Sequence, residues 1–132
     1  MAKLTQLVVD CTHPAPLARF WAAALDGFEL LPYDDAEIAR LAGEGLTPET
    51  DPVVILVGPG GLELCFQQVD VVEVPKRSMH MDIATPDRPA EVRRLQELGA
   101  TVREQHDEHT WMLDPAGNDF CLVDERDARD AR

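Results

Sequence analysis

The sequence predicts an α+β fold made of two βαβββ modules, and three observations lead there. First, a hairpin occurs twice, as Val53–Phe66 (VVILVGPGGLELCF) and Thr110–Val123 (TWMLDPAGNDFCLV). Pro59 and Pro115, Gly61 and Gly117, Glu63 and Asp119, and Cys65 and Cys121 are all 56 positions apart. Each copy is an apolar run, a Pro/Gly turn and a second apolar run, which is how a β-hairpin reads. Second, Leu4–Val9 matches Ser78–Ile83 at an offset of 74, which sets Gln6 opposite His80. Third, the smaller offset is explained by one extra segment, Asp34–Asp51, in the first half, as expected of a duplication with a single insertion. Two such halves packed together leave a cleft, and ligand sites favour clefts.

Each element has a local reason. Leu4–Asp10 is predicted as a strand from its β-branched residues. Thr12-His13-Pro14 starts a helix, with Thr12 or His13 near the cap and proline in the first turn. Leu17, Phe20, Trp21, Ala24 and Leu25 follow helical spacing, and Gly27 closes the helix. Phe28–Tyr33 reads as a short strand. Asp34–Asp51 reads as a polar insertion or lid-like loop with a helical turn at Asp35–Leu41. After the first hairpin, Gln67–Arg77 is a connection containing Pro75. Met79–Ala84 is a strand. Thr85-Pro86-Asp87 opens a helix that presents Val92, Leu95 and Leu98 on one face and ends at Gly99. Ala100–Gln105, Thr110–Leu113 and Asp119–Val123 complete the second module, and Asp124–Arg132 reads as a charged, frayed tail. The domain is expected over residues 1–125, with modules at about 1–70 and 77–125 and the tail at 126–132.

Composition narrows the function. A chain of 132 residues fits one domain with a full core. Twenty-five acidic against 12 basic residues give a net charge of −13, which phosphate backbones repel, so nucleic acid is excluded as a partner. No stretch reaches membrane-spanning length and MAKLTQLVVD lacks a signal-peptide layout, so a cytoplasmic protein without a membrane partner is expected. Three cysteines far apart in the chain point to reduced thiols. GPGG is a turn without the Lys-Ser/Thr of a phosphate loop, and GxSxG, HExxH and GxGxxG do not occur.

The strand leading into LARFWAAALDGFEL, the segment SMHMDIATPD, the helix RPAEVRRLQELGATV, the turn DPAGNDF and the duplication itself together resemble the vicinal oxygen chelate superfamily, specifically its glyoxalase-like and bleomycin-resistance-like members. The resemblance covers nearly the whole chain. It implies two curved sheets forming a half-open mixed β-barrel around one cleft, and a homodimer. In metal-dependent members the ligands come from the first and last strands of each module. Those places fall here on Gln6, Cys65, His80 and Cys121, where thiols replace the usual glutamates.

The expected function is therefore binding of a small amphiphilic or aromatic molecule in the cleft, with no cofactor. Gln6, Cys65, Gln67, His80, Asp82, Trp111 and Cys121 are the expected ligand-binding residues. His80 is the candidate acid–base group, with Asp82 on its face of the strand. Trp111 is the favoured aromatic platform, ahead of Phe66, Met112 and Trp21, the last reading as core. Two alternatives stay open. One is a metalloenzyme of lyase, isomerase or dioxygenase type in which His80, Cys65 and Cys121, with Gln6 or water, hold Zn²⁺. The other is a metal-free enzyme using His80. His13, His106 and His109 lack ligand spacing, and the segment 106–109 reads as a solvated turn.

Overall fold

A computed structural model describes residue 1, residues 4–70 and residues 80–125. The chain divides into two compact units, Met1–Glu73 and Val74–Arg132. The connection around Pro75, the start of the expected strand at Met79 and the tail 126–132 lie outside the described residues.

In the first unit, β1 (Gln6–Cys11) leads into α1 (Pro14–Ala24), followed by β2 (Glu29–Leu30), α2 (Asp35–Gly43), β3 (Val53–Val57) and β4 (Glu63–Gln68). The sheet order is β1-β4-β3-β2, with β1 parallel to β4 and the other pairs antiparallel. The second unit repeats the plan with β5 (Met81–Thr85), α3 (Arg88–Glu97), β6 (Thr101–Gln105), β7 (His109–Leu113) and β8 (Asp119–Asp124), in the order β5-β8-β7-β6. The α+β class and the βαβββ duplication are as the sequence predicts.

The repeat extends to strand register. Leu7 pairs with Leu64 and Met81 with Phe120. Val53 pairs with Gln67 and His109 with Val123. These pairs correspond at the same offsets of 74 and 56 found in the sequence. The matched turn glycines also agree: Gly61 has φ 82° and Gly117 φ 87°, a left-handed region that side chains with a Cβ seldom occupy. A Cβ on Gly117 meets no atom within 4 Å, so its cost is conformational alone. Gly117→Val is expected to lower stability by about 1–3 kcal/mol, read as a lower urea midpoint. An unchanged midpoint would show that the turn does not hold this conformation.

Each sheet has a face covered by a helix. Trp21, Leu17 and Phe20 of α1 pack on β3 and β4, where Val54, Leu56, Leu64 and Phe66 are buried. Val92 and Leu95 of α3 serve the second sheet, whose buried residues are Met112, Phe120 and Leu122. Strand side chains alternate, so the residues between these point to the opposite face.

Four details differ from the sequence reading. The polar insertion contains a nine-residue helix, α2, capped by the Asp34 carboxylate, which accepts from the Glu37 N–H. Strand β2 is only two residues long. Leu98 is exposed rather than part of the α3 core, because it lies at the helix C-cap. Asp124 belongs to β8 rather than to a frayed end, and the Glu125 N–H donates to the Thr85 carbonyl at 2.9 Å.

Candidate functional site

The uncovered face of the second sheet gathers most of the chemistry. In register, Asp82 on β5 pairs with Cys121 on β8, and Cys121 pairs with Trp111 on β7. These three therefore form a row across adjacent strands. His80, two residues before Asp82, adds its imidazole at one end, with Nε2 3.1 Å from Asp82 Oδ1. The ligating atoms of His80, Asp82 and Cys121 all lie within 4.8 Å of one another. His80 and Asp82 are exposed and Cys121 is half-buried. Burial first, then the Asp82 and Asp119 carboxylates, push the Cys121 thiol up from its ordinary value, so it stays protonated at neutral pH.

An open depression of about 550 Å³ lies over this row and is lined also by Asp107, Glu108, His109, Val123 and Asp124. Its rim is the β6–β7 hairpin, which the sequence read as a solvated turn. Arg88 holds that hairpin: its guanidinium donates to the carbonyls of His106 (2.9 Å) and Asp107 and to the Asp124 carboxylate (3.1 Å). The available signal was the alternation, since His109 lies two residues before Trp111 and so shares its face. Trp111 carries the Arg103 guanidinium 4.4 Å from its ring centroid, a cation–π contact. Arg103 is the extra residue where the β6–β7 register shifts between Val102 and Glu104.

The remaining site residues lie in the first unit. Gln6 pairs in register with Glu63, and its amide donates to the Glu63 carboxylate at 3.1 Å. Glu63 was not among the expected site residues, although its alignment with Asp119 marked it. Cys65 pairs with Val8 and Ile55 on the face away from α1 and is 6% exposed. Its thiol is also pushed up, by burial and then by Glu63. Gln67 is exposed near the end of β4. Phe66 and Met112 are not pocket residues, because alternation turns both into the helix-covered cores, where each is fully buried. Trp21 is core, as expected. None of the three cysteines is in a disulfide.

A second depression, of about 520 Å³, belongs to the first unit and is lined by Leu31, Tyr33, Arg40, Leu41, Asp51 and Ile55 among others. Its polar groups are engaged locally. Tyr33 donates to Asp51 at 2.8 Å, Asp51 also caps the Val53 N–H, and Arg40 pairs with Glu37. Burial and the Asp51 contact push the Tyr33 hydroxyl up.

The second-sheet row can do three things chemically. An imidazole beside a carboxylate can accept or donate a proton in a fixed orientation. The indole offers a stacking surface. The nitrogen, oxygen and sulfur donors can meet a borderline metal ion. A hard octahedral ion at the places carried over by resemblance does not fit, because Cys65 and Cys121 supply sulfur and the Gln6 amide is bonded to Glu63.

Comparison with known proteins agrees with this architecture. A family model described as a glyoxalase-like domain matches residues 6–123. A search of curated proteins finds no match. Among solved structures, a glyoxalase/bleomycin resistance protein/dioxygenase family enzyme from Burkholderia phytofirmans is similar at TM-score 0.65 and 14% identity, covering 93% of this chain and 98% of its own. The trypanothione-dependent glyoxalase I of Leishmania major has TM-score 0.64 and 17% identity, covering 95% and 88%. The fosfomycin resistance protein FosX of Listeria monocytogenes has TM-score 0.63 and 11% identity, covering 96% and 93%. At such identities the likeness concerns the fold. No helix among the described residues is long and apolar enough to cross a membrane. From the duplicated βαβββ order, the register that repeats with it and a family match over residues 6–123, the chain belongs to the glyoxalase-like domain family.

Proposed function

We propose that this protein binds a small amphiphilic or aromatic molecule on the open face of the β5-β8-β7 sheet, without the hard divalent-ion chemistry that the family resemblance implies. One observation carries the reading: Asp82, Cys121 and Trp111 stand side by side on three adjacent strands, on the face that α3 leaves uncovered. Such a face combines an aromatic platform with acceptors and an imidazole, the mixture that fixes a planar ligand with a polar edge. The carboxylates of Asp82, Asp107, Glu108 and Asp124 around the depression favour a ligand that is neutral or carries positive charge. His80 and Asp82 serve first as hydrogen-bonding groups. The alternative, acid–base catalysis by His80, draws support from the 3.1 Å imidazole–carboxylate contact.

The test is a fragment library of neutral and cationic aromatic compounds screened by amide chemical-shift mapping on the full chain. The expected hits shift amides of residues 80–84, 107–111 and 119–124. Hits that cluster instead around Tyr33 and Arg40 would contradict the assignment.

A further inference from the structure

We propose that Arg103 sets the specificity of the candidate site, selecting a small planar cation of the guanidinium or amidinium class that takes over the indole face of Trp111 that Arg103 itself occupies. The proposal rests on ligand binding at the open face of the β5-β8-β7 sheet and adds to it the class of the ligand and the residue that chooses it.

Arg103 reaches the indole through an irregularity in its strand. The β6–β7 register passes from Val102 opposite Met112 to Glu104 opposite Trp111, and Arg103 is the residue in excess. A bulge re-aims the side chain of the strand it interrupts. Here the effect is a guanidinium carbon 4.4 Å from the Trp111 ring centroid. The arrangement belongs to the second module rather than to the duplicated plan. Fifty-six positions before Trp111 stands Ile55, which pairs with Cys65 as Trp111 pairs with Cys121. The first module therefore presents an aliphatic side chain where the second presents an indole with a cation on it.

Arg103 covers the ring without being locked there. Its carboxylate partner, Asp119, is 3.8 Å away, beyond hydrogen-bond reach, and the adjacent Glu104 carboxylate is engaged with His106 Nε2 at 3.2 Å. The Arg103 side chain is 53% exposed and lies on the edge strand of its sheet. A cation–π contact at so exposed a place is worth only about 2–5-fold in an equilibrium. The guanidinium also shows what the ring accepts: a flat, delocalised, weakly hydrated cation. Asp82, Asp107, Glu108 and Asp124 line the neighbouring depression and offer acceptors to the N–H edge of such a group. A compact ammonium is strongly hydrated and forfeits the stacking. An anion meets the carboxylates unfavourably. A neutral aromatic must displace Arg103 without replacing its charge, whereas a planar cation satisfies both the ring and the carboxylates.

The test compares phenylguanidinium with its neutral isostere phenylurea, each titrated into the full-length protein and followed by NMR. Phenylguanidinium is expected to bind the wild type about 5–30-fold more tightly than phenylurea, shifting amides of residues 80–84, 107–111 and 119–124. Arg103→Ala and Arg103→Gln should each bind phenylguanidinium about 2–5-fold more tightly than the wild type, because no internal cation has to leave the ring. The glutamine variant keeps side-chain length and so separates loss of charge from loss of packing. A further readout needs no ligand: the indole ring current should move the Arg103 δ-methylene protons upfield in the wild type but not in Trp111→Ala, and phenylguanidinium should return them to their ordinary position. Equal affinity for the two compounds, or no tightening in both Arg103 variants, with shifts at the same amides, would overturn the specificity proposal while leaving ligand binding at this face intact. Failure of phenylguanidinium to bind would also overturn it. Shifts confined to the surroundings of Tyr33 and Arg40 would overturn the proposal and the binding face together.

Discussion

Trp21→Ala is expected to destabilise the protein by about 3–5 kcal/mol, a large share of the roughly 5–15 kcal/mol that holds an ordinary domain together. Trp21 is fully buried on α1, and its ring meets Phe20 edge-on with centroids 5.1 Å apart. Around it lie Val54, Leu56, Leu64 and Phe66 of the covered sheet face, also buried. An alanine there leaves a cavity that surrounding strands, fixed by their ladders, cannot fill. Trp21→Phe retains an aromatic edge contact and is expected to cost only about 1–2 kcal/mol. Urea denaturation of the two variants checks both values. A loss below about 1 kcal/mol for alanine would show that α1 does not cap this sheet as described.

The second large effect is expected at Arg88. Its side chain is only 12% exposed and stitches three segments of the second unit: the start of α3, the β6–β7 hairpin and the end of β8. Arg88→Ala removes a charged donor from two carbonyls and a carboxylate at once, and a loss of about 2–3 kcal/mol is expected. Arg88→Lys is not expected to rescue it, because a single ammonium cannot reproduce the planar fork that reaches His106, Asp107 and Asp124 together. The same substitution loosens one wall of the candidate site, so amide exchange at 107–109 should accelerate more than exchange in β8. A stability change under about 0.5 kcal/mol would mean that the hairpin is held by its ladder alone.

How far the sequence reached follows from which forces were local. The duplication was readable because turn chemistry is positional. A glycine at positive φ stands at the same place in both hairpins, and the flanking apolar residues keep period two. The same alternation put Asp82 on the face of His80, whereas Cys121 entered through the family resemblance. The direct pairing of Asp82 with Cys121 was not readable, because parallel register between β5 and β8 is set by a crossover through α3, β6 and β7 that no local pattern records. Helix α2 was read as a loop containing a single turn because only Leu41 is buried in it. Its evidence was electrostatic instead: Asp34 followed three residues later by Glu37, then Arg40 one turn on. Phe66 and Met112 were read as pocket aromatics and linings on residue type alone, and strand parity sends both to the core. Arg88 escaped notice because its three partners are distant in sequence, and two of the contacts are to backbone carbonyls.

The account turns on the uncovered face of β5, β8 and β7 being where a ligand is held. The most direct measurement is the dissociation constant of the strongest aromatic hit for the wild-type protein, for Trp111→Ala and for Tyr33→Phe. Loss of the stacking surface is expected to weaken binding by about 1–2 kcal/mol, roughly 5–30-fold, in Trp111→Ala. Tyr33→Phe, in the other depression, should bind as the wild type does. Equal affinity in Trp111→Ala, with weakening in Tyr33→Phe, would move the site to the first unit and contradict the reading.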